Sequence, residues 1–220
     1  MLKITELLDL SNTIAAPLFE GKTYPWEALG DIGDFILELG KTLDPEEFDT
    51  PYENVWIAKD VKVYPTASIT GPCIIDHGTE VRPGAFIRGN ALVGKKCVVG
   101  NSTELKNVVL FDNVQVPHYN YVGDSILGYK SHMGAGSITS NVKSDKTLVV
   151  VKNGDELIPT GRKKFGAILG DFVEVGCNSV LNPGTVVCRN SNIYPVSCVR
   201  GVVPENSIYK NAENIVIKNK

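Results

Sequence analysis

The sequence has no long hydrophobic run, no surplus of positive charge and no paired cysteines, and each absence removes a class of protein. Its longest fully apolar stretches are a few residues, far short of the ~20 that a membrane-spanning helix needs, so no membrane partner is expected. Met1 to Leu10 sets Lys3, Glu6 and Asp9 among leucines, an amphipathic pattern rather than the apolar centre of a signal peptide. With 22 Lys+Arg against 25 Asp+Glu the net charge is −3, which leaves nothing to neutralise a nucleic acid. Any phosphate recognition must therefore be local. The five cysteines, Cys73, Cys97, Cys177, Cys188 and Cys198, form no CxxC pair. Free thiols and a cytoplasmic location are the expectation. What the chain does have is 21 glycines and 12 prolines, the punctuation of many short strands and turns.

Those turns recur with a fixed period. From Ile57, every sixth residue is a branched aliphatic: Val63, Ile69, Ile75, Val81, Ile87, Val93, Val99 and Leu105. The series resumes at Leu169 with Val175, Leu181, Val187, Ile193 and Val199. Four residues after each aliphatic stands a small or β-branched residue, among them Ala67, Cys73, Ala85, Ala91, Cys97, Ser179 and Thr185. A period of six is no helix period, but it suits one short strand and one turn per hexapeptide. Three hexapeptides close a triangular coil, and coils stack at about 4.8 Å with the aliphatics inside. The expected fold class is thus all-β, a parallel β-helix over residues 51–204. Between Leu105 and Ile138 the register loosens to steps of five or six through Leu110, Val116, Val122, Leu127 and Met133.

Three segments fall outside the repeat. In residues 1–50, Trp26, Leu29, Ile32, Phe35, Ile36 and Leu39 share one helical face between Pro25 and Gly40, and a shorter helix is expected over Ile4 to Leu10. Together they read as a helical cap on the first coil. Residues 140–165 form an inserted loop rich in Lys and Arg, with a hairpin around Asn153-Gly154. A loop of that length in a regular solenoid points to function. Residues 205–220 read as an irregular or short helical tail.

The off-period residues carry the chemistry. Glu104-Leu105-Lys106, His118-Tyr119-Asn120-Tyr121-Val122-Gly123-Asp124 and Gly134-Ala135-Gly136-Ser137-Ile138-Thr139-Ser140-Asn141 resemble the acetyltransferase half of bifunctional glucosamine-1-phosphate acetyltransferase/N-acetylglucosamine-1-phosphate uridyltransferase. That family reads E-[LM]-K, H-L-T-Y-L-G-D and N-I-G-A-G-T-I-T-C-N at the same spacings. The likeness runs ungapped from about Ala85 to Asn141 and resumes at Lys164 to Asp171.

The resemblance implies a left-handed β-helix, usually trimeric, that transfers acetyl from acetyl-CoA to an amino-sugar phosphate. It implies that His118 is the general base, since an ammonium must lose a proton before it can attack a thioester. Glu104 stands where a carboxylate could orient His118. Tyr121, Asn141 and Lys164 match sugar-contacting positions, and Ala135 and Cys177 match positions along the coenzyme. Arg88 and Lys106 match the phosphate-binding pair. They lie 18 residues apart, hence on one face of successive coils, where two like charges repel unless an anion lies between them. Arg82, in a literal Arg82-Pro83-Gly84-Ala85 match, is the second choice. His132 replaces an asparagine that contacts the sugar, and no clear arginine for the coenzyme's phosphates follows Pro204. Residues 1–50 are too short for the Rossmann-like nucleotidyltransferase domain.

Two other readings use the same scaffold. A γ-type carbonic anhydrase would need histidine ligands five apart, and His77, His118 and His132 are not so spaced; no metal is expected. A non-catalytic trimeric scaffold of a sugar-nucleotidyltransferase system needs none of the residues just named.

Overall fold

The computed structural model describes residues 2–218. The hexapeptides form a left-handed parallel β-helix with three flat faces. One face stacks Val55–Ala58, Cys73–Ile75, Ala91–Val93, the second half of Glu104–Leu110, the second half of Tyr121–Leu127, Ala167–Leu169, Thr185–Val187 and Val202–Val203. A second face runs from Lys62–Val63 through Gln115–His118 and His132–Met133 to Ser207–Asn211. The third stacks Ser68–Ile69, Phe86–Ile87, the first halves of Glu104–Leu110 and Tyr121–Leu127, Ile138–Thr139, Val180–Leu181 and Cys198–Val199. The columns of the sixfold repeat fill the interior: Ile75, Val81, Ile87, Val93, Val99 and Leu105 are all fully buried.

The loosened register has a simple origin. Val93 pairs with Leu110 and Leu110 with Leu127, so these coils have 17 residues, not 18. The missing residue is lost at the corner between the third and first faces. There Asn107 and Asp124 turn the chain with φ of 54° and 47°, a left-handed conformation that Asn and Asp tolerate best among residues with a side chain. In the next coil Thr139, not Ile138, takes the interior position, and its hydroxyl accepts from Gly123 N at 2.9 Å.

The N-terminal segment departs from expectation in place and shape. It lies along the first face rather than over the end of the first coil. The face's outward column, Ile74, Leu92, Val109, Ile126, Ile168 and Val186, is wholly apolar and fully buried. Exposed, that ridge would forfeit on the order of 25 cal/mol for every Å² of apolar surface, and residues 2–47 cover it. They run against the stacking direction: Leu7 O accepts from Asp171 N, Asn12 O from Asp112 N, Leu29 O from Asn107 Nδ2, and Glu47 O from Lys59 N. The expected single helix from Pro25 to Gly40 is a 3₁₀ segment, Pro25–Gly30, then an α-helix, Ile32–Gly40, broken at Asp31. The shorter one is an α-turn, Ile4–Leu7, followed by a 3₁₀ turn, Leu10–Asn12. Gly40 permits the closest approach, since a Cβ there would stand 2.5 Å from the Trp56 ring.

Both ends of the coil carry antiparallel hairpins. Phe48–Tyr52 pairs with Val55–Ala58 at the start. Ser207–Asn211 pairs with Asn214–Ile217 at the end. The tail is thus β-structure, not helical or irregular. A folded-back strand satisfies an edge that would otherwise be open. The inserted loop holds the expected hairpin, Val150–Asn153 against Glu156–Pro159, turning at Gly154-Asp155.

Candidate active site

The residues singled out from sequence gather at two corners that flank the third face. Arg88, Lys106, Asn141 and Lys164 belong to the corner with the first face; His118, Ala135 and Cys177 belong to the corner with the second. Tyr121 and Glu104 stand side by side on the strands between. His118 and Gly123, which pairs with Lys106, are separated by five residues of chain, or no more than about 17 Å.

At the first corner the polar groups form one network around Asp124, whose residue is 4% exposed. Its carboxylate accepts from Lys106 Nζ at 3.4 Å, Asn107 Nδ2 at 3.1 Å and Asn141 Nδ2. Asn141 Nδ2 also donates to Tyr121 Oη at 3.2 Å, and Asn107 Nδ2 to Leu29 O at 3.0 Å. The N-terminal segment is thereby tied to the site. The Tyr121 phenol is pushed up by burial and by the carboxylates of Asp124 and Glu104, so it remains a neutral donor. Lys164 joins through a backbone bridge to Val142, with Phe165 N donating to Asn141 O at 3.0 Å. Phe165 in turn stacks on Trp26, ring centroids 5.9 Å apart.

Two expectations about charge are corrected. Glu104 does not orient His118: its Oε1 accepts from Arg88 Nη1 at 2.6 Å, and this hydrogen bond holds the Arg88 guanidinium above its usual range. Nor are Arg88 and Lys106 two bare cations in opposition, because Lys106 has its own carboxylate in Asp124. Arg82, the second choice, is paired with Glu80 at 3.1 Å. Asp124 and Asn107 are the members of this network that the sequence reading left unassigned. Asp124 stood in the quoted motif, one residue beyond Gly123, the coil partner of Lys106.

At the second corner, His118 ends its strand with its backbone N–H donating to Asn120 Oδ1 at 3.1 Å. Its ring is exposed and, among the described residues, has no hydrogen bond or ion pair. Asn120 is buried and fixes the turn, since its Nδ2 donates to Gly134 O and Ser137 O. Ala135 and Cys177 follow on the next two coils, joined by Gly136 N to His118 O at 3.0 Å and Asn178 N to Ala135 O at 2.8 Å. A Cβ on Gly100 would fall 1.6 Å from Pro117 O, so only glycine fits beneath this turn. The Cys177 thiol is exposed.

His132 belongs elsewhere. It sits on the second face with Nδ1 2.7 Å from Glu174 Oε2, while His77 pairs with Asp60 at 2.9 Å. Among the described residues no group of three His, Cys, Asp or Glu side chains is placed to hold a metal ion. Among them, too, no helix is long and apolar enough to cross a membrane.

The bifunctional protein GlmU of Methanococcus maripaludis is 33% identical over 97% of this chain and 56% of its own length. That of Methanococcus aeolicus is 36% identical over 83% of this chain and 49% of its own. The chain spans about half the length of these relatives, and the half matched is the C-terminal one. Among solved structures, the polySia-specific acetyltransferase NeuO gives a TM-score of 0.43 at 16% identity, covering 76% of this chain and 77% of that one. The acetyltransferase domain of PglB from Neisseria gonorrhoeae FA1090, in complex with acetyl coenzyme A, gives 0.35 at 15% identity, covering 74% and 57%. The model of the GMPPB C-terminal domain family matches residues 69–208, well over half of the chain, and the chain belongs to that family.

Proposed function

We propose that the chain is an acetyl-CoA-dependent N-acetyltransferase whose acceptor is an amino-sugar phosphate. One observation carries the reading. An exposed histidine with no hydrogen-bond or ion-pair partner among the described residues stands across one open face from a network of Lys106, Asn141 and the buried Asp124, with Lys164 beside it. A pure scaffold has no use for either.

Within a protomer the two corners lie on opposite edges of the third face. A homotrimer that sets the His118 corner of one copy against the Lys106 corner of the next would unite them. The phosphate then draws on Lys106, Lys164 and Arg88, and Tyr121 and Asn141 contact the sugar. His118 takes the proton from the 2-ammonium group, and the freed amine attacks the thioester carbonyl. The tetrahedral oxyanion collapses, the C–S bond breaks, and the coenzyme leaves as thiolate, which takes up the second proton of the attacking nitrogen. Backbone N–H groups at the turn suit the oxyanion. Ala135 and the Cys177 position line the coenzyme's path, and no acyl-enzyme is needed.

The pairing of Arg88 with Glu104 and of Lys106 with Asp124 favours the rival reading, a trimeric scaffold for sugar nucleotidyltransfer, because cations already neutralised need no phosphate. Thiol release from acetyl-CoA, measured over a panel of amino-sugar phosphates, separates the two. The enzyme reading expects turnover on one sugar that His118→Ala abolishes while oligomer size is kept. Absence of turnover on every sugar, with no acetyl-CoA binding by calorimetry, would establish the scaffold.

A further inference from the structure

The Lys106 corner continues up the stack into a second basic site. Backbone pairing places Lys106 beside Gly123, Gly123 beside Ser140, Ser140 beside Asn182, and Asn182 beside Arg200. Arg200 therefore stands four coil spacings from Lys106, or about 19 Å along the axis. Next to it the inserted loop folds down on the coil. Gly184 and Gly201, with φ of 81° and 75°, leave room for it: a Cβ on Gly184 would meet Val149 Cγ1 at 2.7 Å, and one on Gly201 would meet Lys152 O at 2.7 Å. Val149 and Val151 are fully buried by this docking. The contact carries Lys143 and Lys152 to Arg200, around a cavity of about 140 Å³ that is also lined by Val150, Asn182, Pro183 and Gly201. Among the described residues no carboxylate lines it. Lys143 keeps Asp145 at 3.2 Å, whereas Lys152 and Arg200 have no ion pair among the described residues.

We infer that Lys152 and Arg200, with Lys143 beside them, bind the diphosphate bridge of the coenzyme. The inference rests on the acetyltransferase reading and names the side chains that would hold its coenzyme. Two cations around a pocket without an acid select a phosphoanion, and the guanidinium fork suits two phosphate oxygens at once. Length selects which one. A pantetheine arm joins sulfur to diphosphate through roughly thirteen bonds, about 16 Å when extended. Added to the width of one sugar, that span matches the separation of Arg200 from Lys106. The loop that sequence marks as functional thus serves as a clasp for the coenzyme rather than a lid on the sugar.

Calorimetry with acetyl-CoA, 3′-dephospho-CoA and UDP tests the assignment on wild type and on the Lys152→Ala/Arg200→Ala double variant. Both side chains are exposed, so the variant should fold; its circular dichroism and melting curve check this. The expected result is a loss of tenfold or more, about one charge-assisted hydrogen bond, equal for acetyl-CoA and 3′-dephospho-CoA, with KM for the sugar phosphate unchanged. Equal affinity of wild type and variant for both coenzymes would overturn the assignment alone. So would a loss confined to acetyl-CoA, which would mark the 3′-phosphate, or one confined to UDP, which would mark a nucleotide sugar. Wild-type protein that binds neither coenzyme would overturn the acetyltransferase reading together with this one.

Discussion

Asp124 is the most consequential single side chain at the Lys106 corner, and two substitutions there separate its roles. Asp124→Ala removes the acceptor of three donors and puts a Cβ residue without local hydrogen bonds at φ 47°. Hydrogen bonds to a charged group contribute about 1.5–3 kcal/mol each. Asn107 and Asn141 retain second partners in Leu29 O and Tyr121 Oη, and Lys106 can turn to water, so about 3 kcal/mol in total is the reasonable loss. The left-handed backbone adds about 1–2 kcal/mol for alanine, giving about 4–5 kcal/mol. Asp124→Asn keeps one acceptor oxygen and tolerates the turn, so its cost is only about 1–2 kcal/mol. Equilibrium urea unfolding followed through the buried Trp26 reads both. With a slope near 3 kcal/mol per molar urea, the midpoint should fall by about 1.5 M for alanine and about 0.5 M for asparagine. Two variants that unfold at the same urea concentration would sink the turn argument. Two that unfold with the wild type would show that the network stabilises nothing.

The remaining predictions concern charge and thiols. Glu104→Gln should leave stability within about 1 kcal/mol, as for any exposed ion pair, and leave the pH dependence of kcat unmoved because Glu104 serves Arg88 and not His118; a shifted pH profile would reinstate it as the partner of the base. Native protein should expose no more than two thiols per chain to Ellman's reagent at pH 8, Cys177 and Cys198. Burial pushes Cys73 up to about 12 and Cys188 up to about 11, so rapid reaction of a third thiol would contradict the packing. These raised values also set a sign. From about pH 8.5, the ordinary thiol value, the unfolded chain releases protons that the native chain keeps, so stability should fall as pH rises through the native values. A midpoint in urea that does not decline between pH 8 and 10 would refute the assignment.

The fold was legible because a period of six admits few structures, and the series from Ile75 to Leu105 is fully buried; Val63, on the first coil, is exposed, and Ile69 is partly buried. The placement of the N-terminal segment was missed although its mark was present. One face in three carries consecutive apolar residues, as in Cys73-Ile74-Ile75, Ala91-Leu92-Val93 and Ala167-Ile168-Leu169. The middle residue of each triplet points outward and needs a cover. At the site, the motifs led to two corners that flank one face, but side-chain pairing did not follow from the family pattern. Glu104 lies near both His118 in sequence and Arg88 across the coil, and only the stacking register decides in favour of Arg88. The tight corner at Asn107 and Asp124 was visible as the step of five from Leu105 to Leu110; its role in gathering Lys106 and Asn141 was not.

The reversed course of residues 2–47 has a consequence for synthesis on the ribosome. Leu7 and Asp9 bind Asp171, whose partner Arg189 comes still later, so these residues dock on a coil that is translated some 162 positions after them. Until then the outward column from Ile74 to Val186 grows as an uncovered apolar strip. Such sequence-distant contacts must be made late and slowly, and an exposed edge of this kind invites association between nascent chains. Final closure of the strip therefore waits on release of the later coils, so residues 2–47 are sealed last although they leave the ribosome before every coil they cover.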